Sequence, residues 1–154
     1  MADKTLELVQ RSTQDVVPQL AVDLGDGTYA LAVTVPAGGG SGSLTSFSTT
    51  IAEGESLSSS VNLGGGFTLV AISMPAAWTT APLTFQASRY GTTFVDLYDA
   101  DGVEVQVAAG ANRYIVLDPA LWVGVWYLKV RSGTSAAPVA QAAARSPILI
   151  VKAL

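Results

Sequence analysis

The 154-residue chain contains neither cysteine nor histidine, and both absences exclude kinds of functional site. Without cysteine there is no disulfide framework, no thiolate nucleophile and no cysteine-ligated zinc. Without histidine there is no serine–histidine–aspartate triad, no imidazole general base near neutral pH and no histidine-ligated metal. The composition therefore excludes functional sites that depend on these two residue types, as those of many hydrolases and metalloenzymes do.

Charge is also scarce. Charged residues make up 13% of the chain, which is about half the usual share of a globular protein. Lysine and arginine number 8 against 12 acidic residues, and this balance argues against binding to nucleic-acid phosphates. No stretch approaches the ~20 apolar residues of a membrane span, and the N-terminus lacks the apolar core of a secretory signal. We expect synthesis in the cytoplasm and a surface that serves protein contacts.

Residues 1–35 form a first segment, an arm that is predicted to contain a β-hairpin. Two β-prone runs, 20–24 and 28–33, flank an Asp-Gly turn at residues 25–27, and this pattern is typical of a hairpin. An isolated two-stranded hairpin is marginally stable in water, so we expect it to dock on another sheet. The side chains predicted to make that contact are Leu20, Val22, Leu24, Tyr29, Leu31 and Val33.

A flexible linker is predicted over residues 36–45. It contains the run PAGGGSGS, and glycine and serine without apolar anchors behave as a coil that spans roughly 15 Å on average over this length. An arm on such a linker can add strands to a neighbouring sheet edge through main-chain hydrogen bonds. It also ties subunits together at high effective concentration.

Residues 46–154 are predicted to fold as an antiparallel β-sandwich or jelly roll. Short β-prone runs follow one another at roughly ten-residue spacing, with turn residues between them and no helical period. Residues 67–74 are almost wholly apolar, as expected of a central strand buried on both faces. Alternation predicts further strands over 83–88 and 103–107, each with one solvent-facing side, and it predicts that Trp126 faces the core with Leu128 and Val130.

The densest carboxylate cluster comprises Asp96, Asp99 and Asp101, and a glycine follows it. A calcium loop that began at Asp99 would need a bidentate glutamate at its twelfth position, where the chain has Gly110. The calcium pattern therefore fails. We favour a hairpin turn at Asp101-Gly102, capped by Asp99 through the backbone.

Paired carboxylates would be the remaining histidine-free route to hydrolysis. Asp96, Glu104 and Asp118 lie on predicted strands or strand ends, but nothing in their spacing requires any two to face one cleft. Asp118 is well placed to cap a short helical turn that begins at Pro119. Residues 64–66 are three glycines without the lysine and helix of a phosphate loop, which favours a tight connection into the next strand. We therefore predict no enzyme activity, no cofactor and no metal.

Tryptophans supply the other candidate binding residues. Trp78 and Trp122 lie in loop-like segments, whereas Trp126 follows the period of a core strand. Aromatic residues of this kind more often fill a core or a subunit interface than stack on a sugar ring. We predict interface or loop-anchoring roles for Trp78 and Trp122, with carbohydrate stacking as the alternative.

A series of motifs runs from residue 51 to residue 134. They are IAEGESL (51–57), VNLGG (61–65), LVAISMPAAW (69–78), LTFQAS (83–88), GTTFVDLY (91–98) and YLKVRSGT (127–134). Their order resembles a domain common among tailed-bacteriophage virion proteins, and the likeness covers most of the chain beyond the linker. LTFQAS followed by GTTF is also similar to the galactose-binding-like and discoidin sandwiches.

The first resemblance implies a non-enzymatic structural protein of the virion, assembled in the host cytoplasm. It favours a capsid decoration or cement protein whose arm clasps the major capsid protein, another virion protein or a sister subunit. It also implies a homo-oligomer, with threefold association as the expectation. The second resemblance implies a carbohydrate- or receptor-binding module of a head fibre, neck or tail as the alternative. Neither implies a nucleic-acid or membrane partner.

Overall fold

The computed structural model describes residues 42–154 in full and two short strands ahead of them. These are β1 (Ala21–Asp23) and β2 (Tyr29–Leu31), which pair antiparallel. The predicted turn at residues 25–27 and the linker up to residue 41 lie outside the described residues. So do the six side chains predicted for the arm contact, which are Leu20, Val22, Leu24, Tyr29, Leu31 and Val33.

Gly42–Leu154 is a compact unit that contains two four-stranded sheets. The first sheet comprises β3 (Leu44–Ser48), β5 (Phe67–Ser73), β8 (Tyr114–Val116) and β10 (Ile148–Ala153), in the order β3-β10-β5-β8. The second sheet comprises β4 (Val61–Asn62), β6 (Leu83–Ser88), β7 (Val95–Asp96) and β9 (Tyr127–Ser132), in the order β4-β9-β6-β7. Every pairing is antiparallel.

The described residues contain no α-helix, and Pro119–Leu121 form a 3₁₀ turn. None of the helical structure in this part of the chain is long and apolar enough to cross a membrane. The unit is therefore all-β, as predicted. Its first strand begins at Leu44, inside the predicted linker, because Leu44 pairs with Lys152 at the far end of the sequence.

Both sheets contribute to one hydrophobic core, since successive side chains of a strand point to opposite faces. The fully buried inward side chains of the strands are Leu69, Ile72, Leu149 and Val151 from the first sheet and Leu83, Phe85, Leu128 and Val130 from the second. β5 lies between β10 and β8, so the predicted central strand is confirmed. The alternate residues of these strands form the outer face of each sheet.

Two of the predicted turns are confirmed. The Asp99 carboxylate accepts hydrogen bonds from the backbone amides of Asp101 at 3.0 Å and Val103 at 2.8 Å. The carboxylate of Asp118 accepts one from the amide of Ala120 at 3.0 Å and caps the 3₁₀ turn. Both aspartates therefore have structural partners in the backbone.

Two predictions drawn from alternation are wrong. Residues 103–107 form no strand and pair only at the isolated bridges that involve Glu104 and Val107. In β6 the predicted solvent-facing side is incomplete, because Thr84 is fully buried and its hydroxyl donates to the carbonyl oxygen of Gly133 at 2.8 Å. A loop covers this part of the face, and strand periodicity carries no information about such covering loops.

Candidate interaction surface

Two of the three tryptophans are buried and the third is exposed. Trp122 is 1% exposed and packs edge to face on Phe85, with ring centroids 4.8 Å apart. Trp78 is buried, and its indole N–H donates to the carbonyl oxygen of Ala81 at 3.0 Å. Both side chains anchor loops to the core, which is one of the two roles predicted, and neither presents its ring on the surface of the unit.

Trp126 was predicted to face the core, and this prediction is wrong. Its side chain is 47% exposed. It continues the inward register of Leu128 but lies just before β9, where this face of the second sheet opens into a cavity. Strand register alone did not reveal where the core ends.

Two of the three carboxylates considered for hydrolysis share one arginine. The Arg131 guanidinium forms ion pairs with Asp96 and with Glu104, the latter at 3.3 Å. Glu104 also accepts the amide of Ser135 at 2.9 Å, and Asp96 accepts the side-chain amide of Gln86 at 3.0 Å. These hydrogen bonds hold the pKa of Asp96 below its ordinary value of 3.8, with Arg131 as the larger cause. The cluster fastens a loop to the second sheet.

Metal-binding side chains are not grouped in this part of the protein. Among the described residues, no three aspartate or glutamate side chains lie close enough together to hold a metal ion.

The outer face of the first sheet carries a group of apolar side chains beside the polar residues Ser46, Ser48, Ser73 and Lys152. In the register of this sheet, Ile150 lies beside Ala71, which lies beside Val116, and the next row places Ile148, Ser73 and Tyr114 side by side. The apolar face is defined by the outward side chains Leu44, Ala71, Tyr114, Val116, Ile148 and Ile150, of which Ala71 is covered by its neighbours and buried. Val116 is 78% exposed, and Leu44, Tyr114 and Ile148 are exposed as well.

Charge is almost absent from the four strands that carry the apolar face. Lys152 on β10 is the one charged side chain in these strands. The outer face of the second sheet differs, since it carries Lys129, Arg131 and Asp96 together with Gln86 and Asn62. Contiguous exposed apolar surface marks interaction sites in soluble proteins. Of the two faces, the apolar face of the first sheet is therefore the candidate for protein contact.

The apolar face ends at a sheet edge that carries no charge and no proline. Ser43 accepts a hydrogen bond from Ala153, and Thr49 donates one to Pro147. Because hydrogen-bonded pairs alternate along an antiparallel ladder, the backbone groups of Leu44, Ser46 and Ser48 face away from β10. No strand in the described part of the chain pairs with this edge, and an uncharged edge of this kind is a template for strand addition.

Comparison with known proteins identifies no relative. No protein-family model matches the chain, and no curated protein and no solved structure matches it either.

Of the four strands that carry the apolar face, β5 was predicted from the sequence, and the face itself was not. Tyr114 to Leu117 and Ile148 to Val151 are short apolar runs, and such runs are usually interpreted as buried on both sides. The absence of charge was a signal of the apolar face, because neither run contains a charged residue. This absence is notable in β8, which is only three residues long and lies at a sheet edge. The edge position itself emerges only from the fold.

Proposed function

We propose that Gly42–Leu154 is a jelly roll and that the chain is a structural subunit of a tailed-bacteriophage virion, specifically a head decoration protein. The strand order supports the jelly roll. In both sheets, neighbouring strands come alternately from the first four strands of the unit (β3 to β6) and from its last four (β7 to β10), so that β3 lies beside β10 and β4 lies beside β9. Double-sheet jelly rolls of eight strands are common in viral capsid domains and in lectins. Since a fold does not by itself imply a function, the surface must carry the rest of the argument.

The observation that carries the proposal is the apolar face of the first sheet. Fully burying one valine or isoleucine side chain contributes roughly 1.5–3 kcal/mol, and four side chains of this face are exposed in the single chain. Stable protein interfaces are more apolar at their centre than elsewhere and are depleted of charge there. Apart from Lys152, which lies beside Leu44, this face has both properties, so a second subunit in contact with it would gain hydrophobic burial without desolvating ion pairs.

The proposed assembly uses the two parts of the chain differently. Sister subunits pack through the apolar face and the exposed edge of β3, which gives the homo-oligomer. The arm, residues 1–35, reaches the major capsid protein or another virion protein through the linker, at an effective concentration set by the linker length. The motif order from residue 51 to residue 134 supports the virion as the location.

Charge placed on the apolar face tests the proposal. Val116→Lys should lower the copy number of the protein in virions of the phage that encodes it and should shift the isolated protein toward monomer. Val103→Lys is the matched control, because Val103 is exposed to a similar extent but lies on the turn after Gly102. Quantitative mass spectrometry of purified virions and native mass spectrometry of the isolated protein provide the two readouts. If Val116→Lys keeps the full copy number and the same oligomer, the proposed interface is wrong.

Strand addition at β3 has its own test. A proline at Ser46 removes an amide that faces away from β10 and leaves the ladder bonds to β10 in place, whereas a proline at Thr45 removes a ladder bond. Ser46→Pro should therefore weaken assembly with little loss of stability, and Thr45→Pro should lower stability. Equal assembly of Ser46→Pro and the wild type would show that the edge is not used.

The arm is tested by deletion. Removal of residues 1–41 leaves Ser43 and β3 in place and should yield a folded unit that no longer binds particles. The copy number in virions also tests the location: a decoration protein should approach the abundance of the major capsid protein, whereas a vertex, neck or tail part should be present in a few copies only.

A further inference from the structure

A shallow cavity, widely open to solvent at one end of the second sheet, combines an exposed tryptophan with hydrogen-bond donors. It has a volume of about 410 Å³, and its lining includes Trp126, Val95, Arg89, Ser88 and Thr93. This cavity is lined by strands and loops of the second sheet, whereas the apolar face belongs to the first. It is therefore a feature separate from the interface proposed above.

The indole of Trp126 packs against backbone on one side. Gly65 lies against it, and a β-carbon at Gly65 would come within 2.9 Å of the indole ring. The φ angle of Gly65 is 68°, in the left-handed region that favours glycine. The backbone therefore supports the indole from beneath while 47% of the side chain stays exposed. A partly exposed aromatic ring is a platform on which a flat apolar surface can stack.

The polar side chains of the lining can all donate hydrogen bonds. Ser88 accepts the backbone amides of Tyr90 at 3.3 Å and Gly91 at 3.0 Å through its hydroxyl oxygen, which leaves the hydroxyl hydrogen to donate. The guanidinium of Arg89 lies 5.3 Å from the centre of the Tyr90 ring. Stacking of this kind leaves the in-plane N–H groups of an arginine available.

Acceptors with negative charge are missing from the same lining. No acidic side chain is among its residues, all of which belong to the described part of the chain. Arg89 forms no ion pair with any described residue, whereas Arg131 on the same sheet is paired with two carboxylates. A lining that contains an arginine without an ion-pair partner among the described residues, together with the hydroxyl groups of Ser88 and Thr93, suits the oxygens of a carboxylate.

We propose that this cavity binds an acidic saccharide, with the apolar face of a sugar ring on Trp126 and the sugar carboxylate on Arg89. The exposed guanidinium of Arg89 is hydrated in the free protein, and a carboxylate would replace that water with charge-assisted hydrogen bonds. A neutral ligand lacks these bonds, and a carboxylate without a ring would leave the indole uncovered. A saccharide with one carboxylate satisfies both groups. Binding does not depend on the proposed role in the virion, so the two proposals can fail separately.

The test uses two sugars that differ in one group. Methyl β-D-glucuronide and methyl β-D-glucoside share the same ring, and only the first carries a carboxylate. Each is titrated into the full chain while the indole N–H signals are followed by two-dimensional NMR, with Trp126→Phe used to assign the signal of Trp126. The glucuronide should shift that signal saturably, and the glucoside should bind about tenfold more weakly because the charge-assisted hydrogen bonds are absent. Trp78 and Trp122 are buried and serve as internal references.

Substitutions separate the two contacts. Arg89→Gln should weaken binding of the glucuronide about tenfold and leave binding of the glucoside unchanged. Arg113→Gln is the matched control, since Arg113 is exposed and lies outside the lining. Absence of any shift with the glucuronide, equal affinity for both sugars, or unchanged binding by Arg89→Gln would each overturn the proposal. Arg89 is exposed, so this variant is expected to fold.

Discussion

Replacement of Trp122 by alanine should destabilise the protein more than replacement of Trp126. A buried tryptophan removes roughly 150–250 Å² from water, which at about 25 cal/mol per Å² contributes about 4–6 kcal/mol. Measured costs of truncating buried aromatic residues are about 3–5 kcal/mol. The edge-to-face contact with Phe85 adds to this cost. The indole N–H of Trp122 lacks a hydrogen-bond partner among the described groups. Removal of this unsatisfied group by the substitution offsets part of the loss of stability.

We therefore expect Trp122→Ala to lower the free energy of unfolding by about 3–4 kcal/mol. Trp126 keeps 47% of its surface in water, so Trp126→Ala should cost about half as much, roughly 2 kcal/mol. Val103→Ala, on an exposed turn, should stay within about 0.5 kcal/mol of the wild type.

Urea unfolding followed by circular dichroism measures all three variants of the full chain. With a denaturant slope of about 2 kcal/mol per molar, the midpoint of Trp122→Ala should fall by about 1.5–2 M. If Trp122→Ala unfolds at the wild-type midpoint, the side chain is not part of the core, and its assignment as a loop anchor is refuted. If Trp126→Ala is the more damaging of the two, the order of burial is wrong.

Three further predictions concern single substitutions. Gly65→Ala should cost about 1–2 kcal/mol, because it strains a positive φ angle, and should increase the quenching of Trp126 by acrylamide. Asp96→Asn should lower the melting temperature slightly at pH 7. The pKa of Asp96 is below 3.8 in the folded protein, so its ion pair with Arg131 stabilises the fold fully above about pH 4. The difference between the two proteins should shrink below that pH and vanish once the pH has fallen through the lowered pKa of the folded protein. Asp99→Ala should cost about 1 kcal/mol through loss of the turn cap, and added calcium should leave the melting temperature of both proteins unchanged.

Local sequence signals predicted the parts of the fold that depend on neighbouring residues. The Asp99 turn and the cap at Asp118 follow from short-range chemistry, because a carboxylate reaches amides two to four residues ahead of it. The central strand β5 was recognised because both of its faces are largely covered. These features need no knowledge of distant contacts.

Long-range contacts explain what the sequence did not reveal. Thr84 is buried because Gly133 comes to lie over it, and Leu44 belongs to a strand because Lys152 pairs with it. Alternation assigns each side chain to a face but does not report what covers that face. For this reason Val116 and Trp126 were not recognised as exposed, although they are the residues on which both proposed binding surfaces depend.

The unit begins and ends on neighbouring strands, and this has a mechanical consequence. The amide of Ala153 donates to the carbonyl oxygen of Ser43 at 3.1 Å, and a methyl group on Gly42 would collide with the carbonyl oxygen of Ala153. Tension between Gly42 and Leu154 would pull apart β3 and β10 one hydrogen-bonded pair at a time, starting at this corner. Cargo fused after Leu154 would emerge beside the chain that precedes Gly42, so a fusion partner under load would unzip the sheet edge that the proposed assembly requires.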